Sequence, residues 1–186
     1  MKTATGTAHL AGFVLAAACL ALYGSQAATR YWTGAGGDGE WGTEANWSGS
    51  ALGGRDATVA GVAGTGRVSG GVLTVTGEIN PAGAGAVGVL TFEMTPVLSG
   101  ATYVCDLVGD SADRIEFEDD VDVSGLVFRA VRNGRYNGQD VRVLVSDGEV
   151  TGPFASATFP HGKYSLEYGA SAVTLTHSNG SIIIFR

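Results

Sequence analysis

Between Asp106 and Asp122 the chain sets Asp106, Asp110, Asp113, Glu116, Glu118, Asp119, Asp120 and Asp122 close together. Carboxylates at that density can do two kinds of chemistry. As hard oxygen donors they hold Ca²⁺ when turns bring three or more to one point. As a pair about 5 to 10 Å apart across a sugar-sized groove, one of them with a raised pKa, they cleave glycosidic bonds. Position argues for a simpler role. Asp110 and Asp113 flank one turn, and Asp119, Asp120 and Asp122 open the next, where carboxylates bond local backbone N–H groups and stay solvated. No metal, cofactor or catalytic residue is assigned on this pattern.

The other concentration of chemistry is TRYWTGAGGDGEWGTEANW, Thr29 to Trp47, which holds all three tryptophans, Trp32, Trp41 and Trp47, beside Tyr31. Such rings stack on pyranose C–H faces and keep a polar edge for a hydroxyl, so these four are the candidate glycan-binding residues. At the start of a stacked domain the same residues have another use. A first coil has no neighbour on one side, and large side chains there cover an open core and an unpaired edge. A cap over 29–48 is the expected role and a glycan platform the alternative. GAGGDGEW, Gly34 to Trp41, has the look of a calcium-binding glycine-rich nonapeptide, but Asp38 precedes Gly39 and the motif occurs once, so it reads as a structural turn.

Little else offers reactivity. After the leader described below, only His161, His177 and the single thiol of Cys105 remain, and no serine or cysteine stands in a nucleophile motif, so a hydrolytic triad has no support. The expected protein is not an enzyme. A formal net charge of -7 repels nucleic acid and anionic membrane surfaces, which removes both as expected partners.

Lys2 precedes an apolar run from Leu10 to Leu22 and then Ser25-Gln26-Ala27, the pattern of a secretory signal peptide over 1–27. The run is shorter than the roughly 18 to 20 residues of a spanning helix, and no second one follows, so no membrane span is expected. Cleavage near Ala27 leaves 28–186 as one domain, secreted or held in the periplasm or at the outer surface. The alternative is lipoprotein processing at Ala16-Ala17-Ala18-Cys19, which tethers the chain through Cys19. With Cys105 alone after cleavage there is no internal disulfide, and packing must hold the fold.

Strand signals fill the mature chain, while no stretch shows helical spacing behind a capping residue. Candidate strands are 57–62, 71–77, 87–92, 101–108, 114–119, 126–131, 140–146, 163–169, 172–178 and the terminal SIIIFR, several with clean alternation, such as Val141, Val143 and Val145 against Arg142 and Leu144. Between them stand turn pairs such as Gly109-Asp110, Asn133-Gly134, Asn137-Gly138 and Asp147-Gly148. The fold class is all-β. A row of short strands and glycine turns fits a sandwich, a closed barrel or a solenoid. Short recurring strands without strongly marked hairpins, and small residues over 48–88, favour a short right-handed parallel β-solenoid, with an antiparallel β-sandwich as the alternative.

Several motifs then occur in one order: Trp-Thr-Gly at Trp32 and Asn-Trp at Trp47, GDSADRI at Gly109 to Ile115 followed by VDVSGL at Val121 to Leu126, GEVTGPF at Gly148 to Phe154, YSLEY at Tyr164 to Tyr168 and VTLT at Val173 to Thr176. In this order they cover most of the mature chain, and the chain resembles the autotransporter-associated β-strand repeat family of exported bacterial proteins. The resemblance implies a β-solenoid passenger-like module with a structural or adhesive role at the cell surface, whose partners are extracellular polysaccharide or other surface proteins, and it brings no catalytic residues. Only a turn and SIIIFR follow Ser178, where large family members carry a translocating barrel or a sorting tail, so neither export route is expected. The apolar strand Ser181–Arg186 is the expected route to self-association if its edge is uncovered.

Overall fold

The structure, a computed structural model, describes residues 33, 35–38, 43–47, 57–69 and 71–178. The signal peptide, Cys19, Tyr31, Trp32, Trp41 and the terminal strand Ser181–Arg186 lie outside the described residues. A single 3-10 turn, Glu44–Asn46, precedes the strands. These are β1 (Ala57–Ala63), β2 (Gly66–Val68), β3 (Leu73–Asn80), β4 (Val89–Phe92), β5 (Thr102–Gly109), β6 (Ser111–Ala112) and β7 (Arg114–Phe117). They continue as β8 (Val121–Asp122), β9 (Val127–Tyr136), β10 (Val141–Ser146), β11 (Val150–Thr151), β12 (Ser156–Thr158), β13 (Tyr164–Tyr168) and β14 (Ala172–His177).

Apart from the short β5–β6 pair and the terminal β13–β14 hairpin, strands adjacent in sequence lie on different faces, and strands one coil apart pair side by side. One sheet runs β1-β3-β5-β9-β12 and is parallel throughout that path. A second runs β2-β4-β7-β10, also parallel, and β8 with β11 forms a short third. The chain is a parallel β-solenoid of about 4 turns. The antiparallel sandwich is excluded, because the main ladders are parallel and join strands one coil apart.

In-register parallel pairing stacks equivalent side chains into columns, and the core is built from these columns. Val62, Ile79, Tyr103 and Phe128 face one another on successive strands of the first sheet. Val68, Phe92 and Phe117 do so on the second, with the Phe92 and Phe117 rings 5.4 Å apart and 14° from parallel. Leu90, Ile115, Leu144 and Val173 form a further column of fully buried side chains. Each such residue withdraws its apolar surface from water, a contribution of about 1.5–3 kcal/mol per large side chain.

The coils differ in length. Thr91 and Glu116, one coil apart, are 25 residues apart in sequence, whereas Asp120 and Glu149 are 29 apart. The extra residues gather at one corner, where β9 bulges between Arg132 and Tyr136 before 137–140 lead into β10. Asn133-Gly134, expected as a turn between strands, is thus inside β9; Gly134 has φ 83°, which lets the strand bulge without ending. A tighter irregularity sets Gly77 opposite β1, where a Cβ would overlap the carbonyl oxygen of Ala60, so only glycine fits.

Two expectations from alternation need correction. In β10 both Val143 and Leu144 are buried, because its pairing with β14 shifts between Arg142 and Leu144, so the simple Val141-Val143-Val145 alternation fails. The second concerns the end of the solenoid. β13 and β14 form an antiparallel hairpin that the sequence did not mark, and β14 reverses direction against β10. At this end Phe154 and Phe159 pack on Phe128, Tyr168 packs on Phe154 and Tyr164 on Phe159, with the Phe128 and Phe154 rings 5.2 Å apart.

Candidate functional site

The described part of the N-terminal motif is a polar knot. Asn46, fully buried, accepts the Gly36 N–H on Oδ1 at 2.7 Å and donates from Nδ2 to Asp38 Oδ1 at 2.7 Å. Asp38 Oδ2 accepts the Thr43 hydroxyl at 2.7 Å, and the Thr33 N–H donates to the Asn46 carbonyl at 2.7 Å. Both Asp38 oxygens are therefore engaged by local donors, as the structural-turn reading of GAGGDGEW requires. Next to the knot, Trp47 is 5% exposed and belongs to the apolar core. A sugar platform needs an open ring face, and Trp47 does not present one.

The acidic stretch divides by depth. Asp122 Oδ1 accepts the Ser124 N–H at 2.8 Å, which holds its carboxyl below the usual range, and Asp120 Oδ1 accepts the Glu149 N–H of the next coil at 2.7 Å. Both do the turn work expected of them. Asp113 does not stay solvated as its turn position suggested: it is fully buried, and Asp106 is 2% exposed. Asp106 Oδ2 accepts the Gly85 N–H at 2.8 Å and its Oδ1 accepts from Asn133 Nδ2. Asp113 Oδ1 accepts the Gly88 N–H at 2.8 Å and its Oδ2 the Asp106 N–H at 3.0 Å.

Gly85 and Gly88 lie between β3 and β4, and Asn133 lies in β9, so the two acids pin the coils above and below their own. The Tyr103 hydroxyl extends the cluster, lying 2.7 Å from the Asp113 carbonyl oxygen and 2.9 Å from that of Val143. Burial pushes the Asp113 carboxyl up to about 7; the N–H groups of Asp106 and Gly88 oppose this, and the neighbouring Asp106 carboxylate adds to it. Burial also drives the Cys105 thiol upward, and its Sγ is 3.6 Å from the Asp113 carbonyl oxygen. An acid without solvent contact cannot meet a substrate, so this cluster acts on the fold rather than on a ligand. One signal for it was available: Asp106 interrupts the otherwise apolar Tyr103–Val108, and an acid inside a buried strand must find donors.

The two histidines sit at the other end, in the hairpin cap. His161 and His177 flank Tyr164 at ring-centroid distances of 4.6 and 4.8 Å, and Tyr164 packs on Tyr136 at 6.1 Å. The Tyr136 hydroxyl donates to the Gln139 carbonyl at 2.6 Å, and burial raises it to about 12. Gly138 leaves room for the His177 ring, since a Cβ there would come within 2.5 Å of Nδ1. Among the described residues, no three His, Cys, Asp or Glu side chains converge on a point that could hold a metal ion, and no helix is long and apolar enough to cross a membrane. Compared with family models and with curated proteins, the chain matches none.

Proposed function

We propose that this chain is an exported, non-enzymatic β-solenoid module of the autotransporter-associated type, serving as a structural or adhesive unit at the bacterial surface. The observation that carries the reading is how the polar groups are used. Asp106 and Asp113 are consumed in backbone bonds between coils, and His161 and His177 are packed into an aromatic cap, so the groups most suited to catalysis serve stacking. A stack held this way is a rigid rod, which suits a module whose task is to present surface.

Export is tested by expressing the full chain in a Gram-negative host, fractionating the cells and weighing the product. A mature chain beginning at Ala28 outside the inner membrane is expected; an acylated N-terminus at Cys19 would move the protein to the lipoprotein route, and an uncleaved cytoplasmic product would sink the reading. Turnover of an acidic polysaccharide, lost on replacing one carboxylate between Asp106 and Asp122, would overturn the non-enzymatic part. The glycan platform narrows to Tyr31, Trp32 and Trp41, because Trp47 is in the core. Glycan-array binding lost in Trp32→Ala and Trp41→Ala with unchanged melting would establish it.

A further inference from the structure

The unequal corners of the solenoid leave a notch. Residues 81–88 form a long corner between β3 and β4, Asp110–Asp113 a short one between β5 and β7, and the β9 bulge with 137–140 another long one. The short corner lies recessed between its neighbours. The result is an open cleft of about 410 Å³, lined by Gly88 and Val89 on one side, Asp110, Ser111 and Arg114 at the base, and Val141 and Arg142 on the other side. Because β4, β7 and β10 pair in register, Arg114 is fixed beside Val89, and Arg142 lies one coil further on.

Charges in the cleft are unevenly satisfied. The nearest carboxylates are already engaged: Asp110 accepts from Asn137, and Asp113 is buried behind the wall on Gly88 and Asp106. Arg114 gives one Nη to Glu116 at 2.7 Å and its Nε is buried, while its side chain as a whole stays 40% exposed, which leaves the outer guanidinium donors to face the cleft. Arg142 is exposed and makes no ion pair among the described residues. By contrast Arg67, on the same sheet, is held by both Glu93 and Glu118. Two guanidinium groups, a serine hydroxyl and short apolar walls therefore meet in one recess, where the one lining carboxylate, Asp110, is held by the Asn137 amide and forms no ion pair with either arginine among the described residues.

We propose that this notch binds a carboxylate-bearing sugar, a uronic acid unit, through the guanidinium groups of Arg114 and Arg142. The planar fork of arginine matches a carboxylate through paired N–H donors, the Ser111 hydroxyl is placed for a ring hydroxyl, and the volume falls in the range of small-ligand sites. The site is independent of the N-terminal tryptophans and of whether the chain is exported, so it can fail without that reading failing.

The test is a titration of the folded protein, followed by NMR chemical shifts, with glucuronate, galacturonate, glucose and inorganic phosphate. Shifts at Ser111, Arg114 and Arg142 with either uronate, much weaker ones with glucose and phosphate, and a loss of affinity of about tenfold in Arg142→Gln are expected. Arg67→Gln, which alters an arginine already satisfied, leaves the titration unchanged. Equal response to glucose, phosphate bound as tightly as the uronates, or full affinity retained in Arg142→Gln would each overturn the proposal.

Discussion

Replacing Asp113 by Asn should remove a pH dependence of stability that the buried corner creates. In the folded chain the Asp113 carboxyl is raised from its ordinary 3.8 to about 7. Below 3.8 both folded and unfolded chains hold the proton, and the contribution is fully present. Between 3.8 and 7 the folded chain keeps a proton that the unfolded chain has lost, so stability falls as pH rises, by about 1.4 kcal/mol per unit and about 4 kcal/mol across the window. Above 7 nothing further is lost. Asp122, whose carboxyl is lowered, acts with the opposite sign: its contribution is present above 3.8 and is lost as pH falls through its folded value. Urea unfolding of the wild type and Asp113→Asn, followed by circular dichroism from about pH 4 to about pH 8, cancels Asp122 and the other groups remote from Asp113. The wild type should lose about 4 kcal/mol relative to the variant over that range. A difference that does not change with pH would refute the reasoning. So would a wild type that gains on the variant as pH rises, since the Gly88 and Asp106 N–H groups would then be holding the carboxyl ionised against burial.

Phe117→Ala opens the stacked column between Phe92 and Ser146, and with Phe117 3% exposed the loss should be about 3–5 kcal/mol in chemical denaturation; a loss below about 1 kcal/mol would mean that the column does not carry the coil. Cys105, buried and with its thiol raised, should react with a thiol reagent only as fast as the chain unfolds, and prompt labelling of the native protein would contradict its place in the core.

The solenoid was legible because its signal is distributed: short β-branched strands at intervals near one coil, separated by residues that turn. Longer strands of both sheets were read almost to their bounds, as with 101–108 against Thr102–Gly109 and 140–146 against Val141–Ser146. The short strands β8, β11 and β12 were not, since two or three residues carry no period, and their pairing is set by the coil beneath them. The β9 bulge was hidden for a related reason: Asn-Gly ordinarily ends a strand, and only the longer neighbouring coil keeps it in the sheet. The notch at Arg142 could not be read at all, because it arises from a difference in length between adjacent corners. A residue in one coil says nothing of that difference.

The hydrogen bonds of the parallel ladders run from coil to coil, along the axis of the stack, and this gives the molecule a direction of weakness. Tension along the axis opens each coil as a zipper, a few bonds at a time, whereas tension across it must shear a whole ladder together. Each coil that lets go frees about 25 residues, roughly 80 Å of extended chain. A module gripped at its two ends would therefore lengthen in steps and absorb work at each one, like a tether that yields before it breaks.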